Sequence, residues 1–208
     1  MRFTDLIWDF DGTLFDSYPH ILSAYLKALA DFNKELDSGE LMARLKISLE
    51  EAHKYTGADK ELRERFKEYE SDITLEPTAK PIPGISELLK KACALGIRNY
   101  IYTHRSRSAL TYLENAGILG CFTECVTNED TGHFAWKPKP DTINYIVEKH
   151  GIDRSRCAMV GDREIDVQSG VNAGCEGILF MPTSRTEPSV AKYRADSISE
   201  LCEIIFGE

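Results

Sequence analysis

Leu6-Ile7-Trp8-Asp9-Phe10-Asp11-Gly12-Thr13-Leu14-Phe15 is the stretch that decides how this chain of 208 residues reads. Three apolar residues run straight into two aspartates separated by one phenylalanine. On an extended backbone successive side chains alternate, so Asp9 and Asp11 point the same way and Phe10 the other. Gly12 then permits a turn that most side chains resist. Two such carboxylates repel unless a cation sits on them or one holds a proton. The stretch predicts a strand ending in a site for a hard divalent metal, for nucleophilic and acid–base chemistry, or for both.

Working outward, residues 3–9 read as a buried strand and residues 97–103 as a second. Shorter apolar runs follow at 121–126, 157–160 and 177–180. Helical periods fill the gaps. Ile85, Leu88, Leu89 and Ala92 fall at i, i+3, i+4 and i+7, with Gly96 closing the helix. Leu110 and Leu113 share a face before Gly117. Pro140 opens another helix at its first position, with Ile143, Ile146 and Val147 on one stripe before Gly151. Strand and helix alternating at this spacing predict an α/β fold, a doubly wound, Rossmann-like parallel sheet. Such sheets bind ligands beyond the carboxyl ends of their strands. Asp9, Thr103 and the Gly161-Asp162 pair each sit at a predicted strand end.

Residues 16–81 break the alternation. Ile21, Leu22, Tyr25, Leu26, Leu29 and Phe32 outline one amphipathic helix, and Leu62, Phe66, Tyr69 and Ile73 another. Ser48-Leu49-Glu50-Glu51 reads as a capping box between them. Pro81-Ile82-Pro83-Gly84 is a stiff return. The predicted organisation is a core of residues 1–15 and 82–208 with a helical insert at 16–81, placed to act as a lid over a site at the first strand's end.

Composition narrows the function. The formal charge is −9, from 25 basic and 34 acidic residues, and no stretch is strongly basic. Nucleic-acid binding therefore has little support. The opening apolar run is too short for a signal peptide or a membrane helix. Six cysteines, at 93, 121, 125, 157, 175 and 202, form no CxxC pair and no zinc-spaced set. They read as reduced thiols of a cytoplasmic protein with no membrane partner.

Five features stand in order: Asp9-x-Asp11-Gly12-Thr13, Thr103, Lys137 within Trp136-Lys137-Pro138-Lys139-Pro140, Gly161-Asp162, and Asp166. This set resembles the haloacid dehalogenase (HAD) superfamily, over essentially the whole chain. The residue types suit phosphoryl transfer. Asp9 can attack phosphorus and form an aspartyl-phosphate. Asp11 can protonate the leaving alcohol and later take a proton from water. Thr103 and Lys137 can hold the phosphoryl oxygens, and Lys137 can also steady Asp9. Asp162 would complete a Mg²⁺ site with Asp9 and, as the resemblance implies, the main-chain carbonyl of Asp11. Asp166 would orient a water on the ion. Dehalogenases of the superfamily lack the second aspartate, so Asp11 points to a phosphatase. Thr13-Leu14-Phe15-Asp16-Ser17 resembles the phosphoglycolate-phosphatase-like branch, whereas Thr103-His104-Arg105 departs from its Thr-Asn pattern.

The implied activity is hydrolysis of a small phosphorylated metabolite. A phosphomutase of the β-phosphoglucomutase type keeps the same aspartates and is the near alternative. A phospho-accepting signalling module or a non-catalytic metabolite-binding protein is the alternative of another class. Several neighbours admit two readings. His104 touches substrate or only flanks Thr103. His20 lines the cleft or packs a helix. Lys46 sets specificity or is a solvated helix-end lysine, the reading also given to Lys139. Arg105 and Arg163 meet an anionic substrate or are exposed loop arginines. His133, Phe134 and Trp136 form a bulky loop that packs Lys137.

Overall fold

The computed structural model describes residues 2–130, 134–181 and 188–207; His133 lies outside them. The chain opens with β1 (Asp5–Trp8) and a two-residue strand, β2 (Phe15–Asp16). Four helices follow: α1 (Tyr18–Asp31), α2 (Ser38–Ile47), α3 (Leu49–Thr56) and α4 (Lys60–Ser71). A second two-residue strand, β3 (Lys80–Pro81), pairs with β2. Thereafter come α5 (Ile85–Ala94), β4 (Arg98–Tyr102), α6 (Ser108–Asn115), β5 (Phe122–Val126), α7 (Asp141–His150) and β6 (Cys157–Gly161). The chain ends with α8 (Glu164–Asn172), β7 (Glu176–Phe180), β8 (Tyr193–Ala195) and α9 (Ile198–Phe206). Two compact units divide it: Met1–Phe15 with Pro81–Glu208, and Asp16–Lys80.

The first unit is built on a six-stranded sheet in the order β5-β4-β1-β6-β7-β8, with every pairing parallel. Strand order reverses at β1. After it the chain adds β4 and β5 on one side, then crosses to add β6, β7 and β8 on the other. That reversal opens a crevice at the carboxyl end of β1. Leu6, Ile7 and Trp8 are fully buried, which is why β1 reads as an unbroken apolar run rather than an alternating one. Ile7 packs in one cluster with Tyr100, Tyr102, Ile143, Ile146 and Met159. Each such aliphatic side chain contributes about 1.5–3 kcal/mol by leaving water. The buried Trp8 indole donates to Asn99 Oδ1 at 3.0 Å, so its polar atom is satisfied.

Gly96, Gly117 and Gly151 follow α5, α6 and α7 at positive φ, as the sequence predicts. Two details differ. Pro140 is the N-cap of α7 rather than its first residue. The edge pair β8–α9 has no counterpart in the sequence reading, because β8 is only three residues long and half-buried.

In the second unit α1, α2, α3 and α4 enclose their own core of Tyr25, Leu29, Leu41, Leu45, Leu62 and Phe66. Side-chain caps start three of the helices. Asp37 accepts from Glu40 N–H at 2.7 Å, Ser48 from Glu51 N–H at 3.1 Å, and Asp59 from Leu62 N–H at 2.9 Å; each is worth about 1 kcal/mol. Ile73 lies beyond the end of α4, since the helix stops at Ser71 with Asp72 as its C-cap. His20 is buried, with its ring nitrogens 3.1 and 2.9 Å from the carbonyls of Leu75 and Glu70. It ties α1 to the end of α4, which is the packing reading. Among the described residues no helix is long and apolar enough to cross a membrane.

Candidate active site

The site grows from the tip of β1. Asp9 N–H donates to Val160 O at 2.9 Å, carrying the β1–β6 ladder one residue past the strand. The chain then turns sharply: Phe10 O receives N–H groups from Thr13, Leu14 and Phe15 at 3.3, 3.0 and 3.1 Å. Gly12 has φ +76°, the left-handed conformation that the turn needs. Phe10 is fully buried and stacks on Phe15, with ring centroids 4.6 Å apart. The apolar residue between the acids thus bolts the turn to the core.

Asp9, Asp162 and Asp166 converge, each buried, with one carboxylate oxygen of each within 4.8 Å of the others. Asp162 follows Gly161 at the end of β6, and Asp166 lies in the first turn of α8. Gly161 is required where Asp166 packs: a Cβ there would sit 2.2 Å from Asp166 Cβ. Lys137 is buried and bridges two of the acids, its Nζ 2.5 Å from Asp9 Oδ1 and 2.9 Å from Asp166 Oδ1. Asp166 Oδ2 also accepts the Arg163 N–H at 3.1 Å. Thr13 Oγ1 reaches Asp162 Oδ1 at 3.5 Å, joining the β1 turn to the β6 tip. Thr103, at the end of β4, is fully buried, and its Oγ1 accepts the Arg105 N–H at 3.0 Å. Its hydroxyl proton is left to donate elsewhere.

Electrostatics within the cluster follow from burial and sharing. Burial, then the Asp166 charge, pushes the Asp9 pKa up to about 6 against the pull of Lys137 and Arg163. Burial works against the charged form of Lys137, but Asp166 and Asp9 outweigh it and hold the ammonium above its usual range. For Asp166 burial is likewise outweighed, by Lys137 and then Arg163, so its carboxyl lies below the usual range. Three acids thus face two cations, and Asp9 bears the shortfall.

The donor set fits a hard divalent cation. Asp9 Oδ2 is buried and accepts no hydrogen bond from any described residue. The Arg163 Nη2 stands 3.9 Å from it. An added ion would find oxygen ligands only, and one net negative charge from three carboxylates against two side-chain cations.

The sequence-predicted residues distribute as follows. Asp9, Lys137, Asp162 and Asp166 come together. Thr103 borders them at the neighbouring strand end. Asp11 turns its carboxylate elsewhere: Arg105 Nη1 lies 2.7 Å from Asp11 Oδ1. Arg105 is therefore no exposed loop arginine, and its side chain is fully buried. Arg163 likewise stands among the acids, 3.9, 3.9 and 3.6 Å from Asp9, Asp162 and Asp166. Arg163 directly follows Asp162 and Arg105 stands two residues after Thr103, the only sequence sign of where they would go. His104 is held by its surroundings. Its Nε2 accepts the Lys137 N–H at 3.3 Å, and its ring packs on Tyr102 and Trp136 at centroid distances of 5.7 and 4.3 Å. Burial, aided by Lys137, lowers its pKa to about 2, so the ring is neutral. Lys46 belongs to the helical unit, exposed in the last turn of α2 with Nζ 6.0 Å from the Tyr18 ring. Lys139 is exposed.

Comparison with known proteins agrees with this geometry. Residues 6–180 match the family model for haloacid dehalogenase-like hydrolases. A phosphoglycolate phosphatase from Vibrio parahaemolyticus is 26% identical, over 96% of this chain and 95% of its own. Pyrophosphatase PpaX from Bacillus velezensis is 27% identical, over 96% of this chain and 93% of its own. A crystal structure described as a predicted phosphoglycolate phosphatase, from Haemophilus somnus, shares the fold with a TM-score of 0.84 at 20% identity, covering 98% of each chain. With the family model spanning residues 6–180, most of its length, the chain belongs to the haloacid dehalogenase-like hydrolase family.

Proposed function

We propose that this hydrolase is a Mg²⁺-dependent phosphatase acting on a small phosphorylated metabolite through an aspartyl-phosphate on Asp9. The observation that carries the reading is Lys137, buried between Asp9 and Asp166 beside Asp162 at the tip of the central strand. The names of the relatives, a phosphoglycolate phosphatase and a pyrophosphatase, support a small phosphorylated substrate. Asp9 and Asp162, with the main-chain carbonyl of Asp11, would hold Mg²⁺, and Asp166 would support the set. The ion supplies positive charge to the phosphoryl oxygens and to the acid cluster.

Thr103 and Lys137 hold the phosphoryl oxygens. Asp9 attacks phosphorus, and the ester P–O bond breaks with its electron pair on the leaving oxygen. Asp11 gives that oxygen a proton. Asp11, now a carboxylate, takes a proton from water, whose oxygen attacks phosphorus and releases phosphate from Asp9. His104 fixes the backbone of Lys137 beneath the bound ester. The helical unit, inserted directly after the β1 turn, serves as the cap, and Lys46 on it reads the rest of the substrate. Six free thiols suit a reducing, cytoplasmic setting.

The test is phosphate release from a panel of phosphorylated sugars, short phospho-acids and nucleotides, with and without Mg²⁺. Acid quenching during turnover should trap phosphate on wild-type protein and none on Asp9→Asn. Turnover by Asp9→Asn at the wild-type rate would remove the mechanism.

A further inference from the structure

Arg105 is anchored at every polar position described for it. Its N–H donates to Thr103 Oγ1 at 3.0 Å, and its carbonyl accepts the Asn128 N–H at 3.1 Å. Its Nε donates to Ser108 Oγ at 3.2 Å and its Nη1 to Asp11 Oδ1 at 2.7 Å. The guanidinium also lies 5.6 Å from the centre of the Phe10 ring and 5.3 Å from that of Tyr112. Its side chain is fully buried, whereas that of Asp11 is 18% exposed. An arginine out of water needs a partner that repays its desolvation, and here the partner is the second motif aspartate.

We infer that Arg105 is the positioning residue for Asp11. Asp11 rotates about two single bonds and sits on a turn, so nothing in its own backbone fixes where its carboxyl points. The guanidinium supplies that fix through a rigid, doubly braced donor. The inference rests on the proposed role of Asp11. In the first step Asp9 bonds to phosphorus, the ester P–O bond breaks, and the proton of the Asp11 carboxyl passes to the leaving oxygen. Asp11 is left as the carboxylate that Arg105 holds. A proton donor displaced by about an ångström loses much of its effect, so Arg105 acts on the leaving group without touching it.

The test uses aryl phosphates of one shape and graded leaving-group basicity: phenyl, 4-chlorophenyl and 4-nitrophenyl phosphate, followed by kcat/KM. Nitrophenolate leaves without a proton, and phenolate needs one. Arg105→Met should lose about ten-fold or more on phenyl phosphate and stay within about two-fold on 4-nitrophenyl phosphate, approaching the profile of Asp11→Asn. Arg105→Lys should fall between wild type and Arg105→Met. Combining Arg105→Met with Asp11→Asn should add little to Asp11→Asn alone. An equal loss on all three esters, or none, overturns the inference. If Asp11→Asn itself shows no dependence on the leaving group, the role of Asp11 has failed instead. Should Arg105→Met not fold, Arg105→Lys decides, because it keeps the charge and loses the brace to Ser108; an unchanged profile then counts against Arg105.

Discussion

Lys137 Nζ lies 2.5 Å from Asp9 Oδ1, although 128 positions separate the two residues. Two features of the fold make that contact. The sheet order sets β1 at the centre, so the loop before α7 and the tip of β6 both belong beside its end. The face of Tyr102 also packs on the ammonium, its ring centre 4.6 Å from Nζ. The ammonium is thus buried, and its charge is spent on two carboxylates.

Lys137→Met keeps an unbranched chain one atom shorter and removes the charge. Breaking a buried pair from one side leaves uncompensated carboxylates, which costs about 3–5 kcal/mol. Urea unfolding should show a loss of that order. Turnover of any accepted ester should fall by about 10² or more, since a fixed positive charge on the phosphoryl group is lost.

Metal should stabilise the protein through the acid cluster. Binding only to the folded state adds about 2.7 kcal/mol when free Mg²⁺ is 100 times its Kd. Differential scanning calorimetry should show a rise in Tm on titrating Mg²⁺ into EDTA-treated protein. Asp162→Asn should abolish most of the rise, because it turns one of the three charged carboxylates into a neutral amide, a much weaker ligand for a hard divalent ion. An unchanged Tm in wild type would speak against the site.

How much of this could be read from the chain follows from the kind of signal each part leaves. The β1 tip is legible because a strand buried on both faces gives an unbroken apolar run, and the acids mark its end. Helix α1 and helix α4 are legible through their apolar stripes. Helix α2 is not: only Leu41 and Leu45 are buried along its ten residues, too few to establish a period. Strand β8 is too short to alternate. Arg105 misleads for a different reason. Charged side chains are rarely buried unless paired, and its partner, Asp11, lies 94 positions away. Arg163 misleads in the same way, because no local pattern tells that three acids will converge on it.

The helical unit should lose stability in acid through His53. Burial, with Arg63 next, lowers its pKa from 6.5 to about 4. The unfolded chain takes up this proton near pH 6.5 and the folded unit resists until about 4, so between those values the unfolded state binds more protons. Stability from this group is complete above pH 6.5 and falls as pH drops toward 4. Its Nδ1 lies 2.6 Å from Tyr25 OH, which lies 2.8 Å from Thr56 Oγ1. An asparagine amide can take the place of Nδ1 without titrating. His53→Asn should be less stable than wild type at pH 7.5 by about 1–2 kcal/mol. The gap should narrow by pH 4.5 in urea melts; a constant gap would deny His53 this role.

Gly161→Ala isolates the packing that places Asp166. The added methyl would meet Asp166 Cβ at 2.2 Å, far inside contact distance, and both atoms belong to buried backbone-bound groups that cannot swing aside. Either β6 retreats from α8 or Asp166 leaves Lys137. Overpacking of this kind costs about 1–3 kcal/mol, visible as a lowered urea midpoint. If α8 moves, the 2.9 Å contact from Lys137 to Asp166 opens, and Lys137 is left to Asp9 alone. Turnover should then fall by much more than the stability loss explains, at temperatures where the variant is fully folded. Full activity in folded Gly161→Ala would mean that Asp166 need not be held against Lys137.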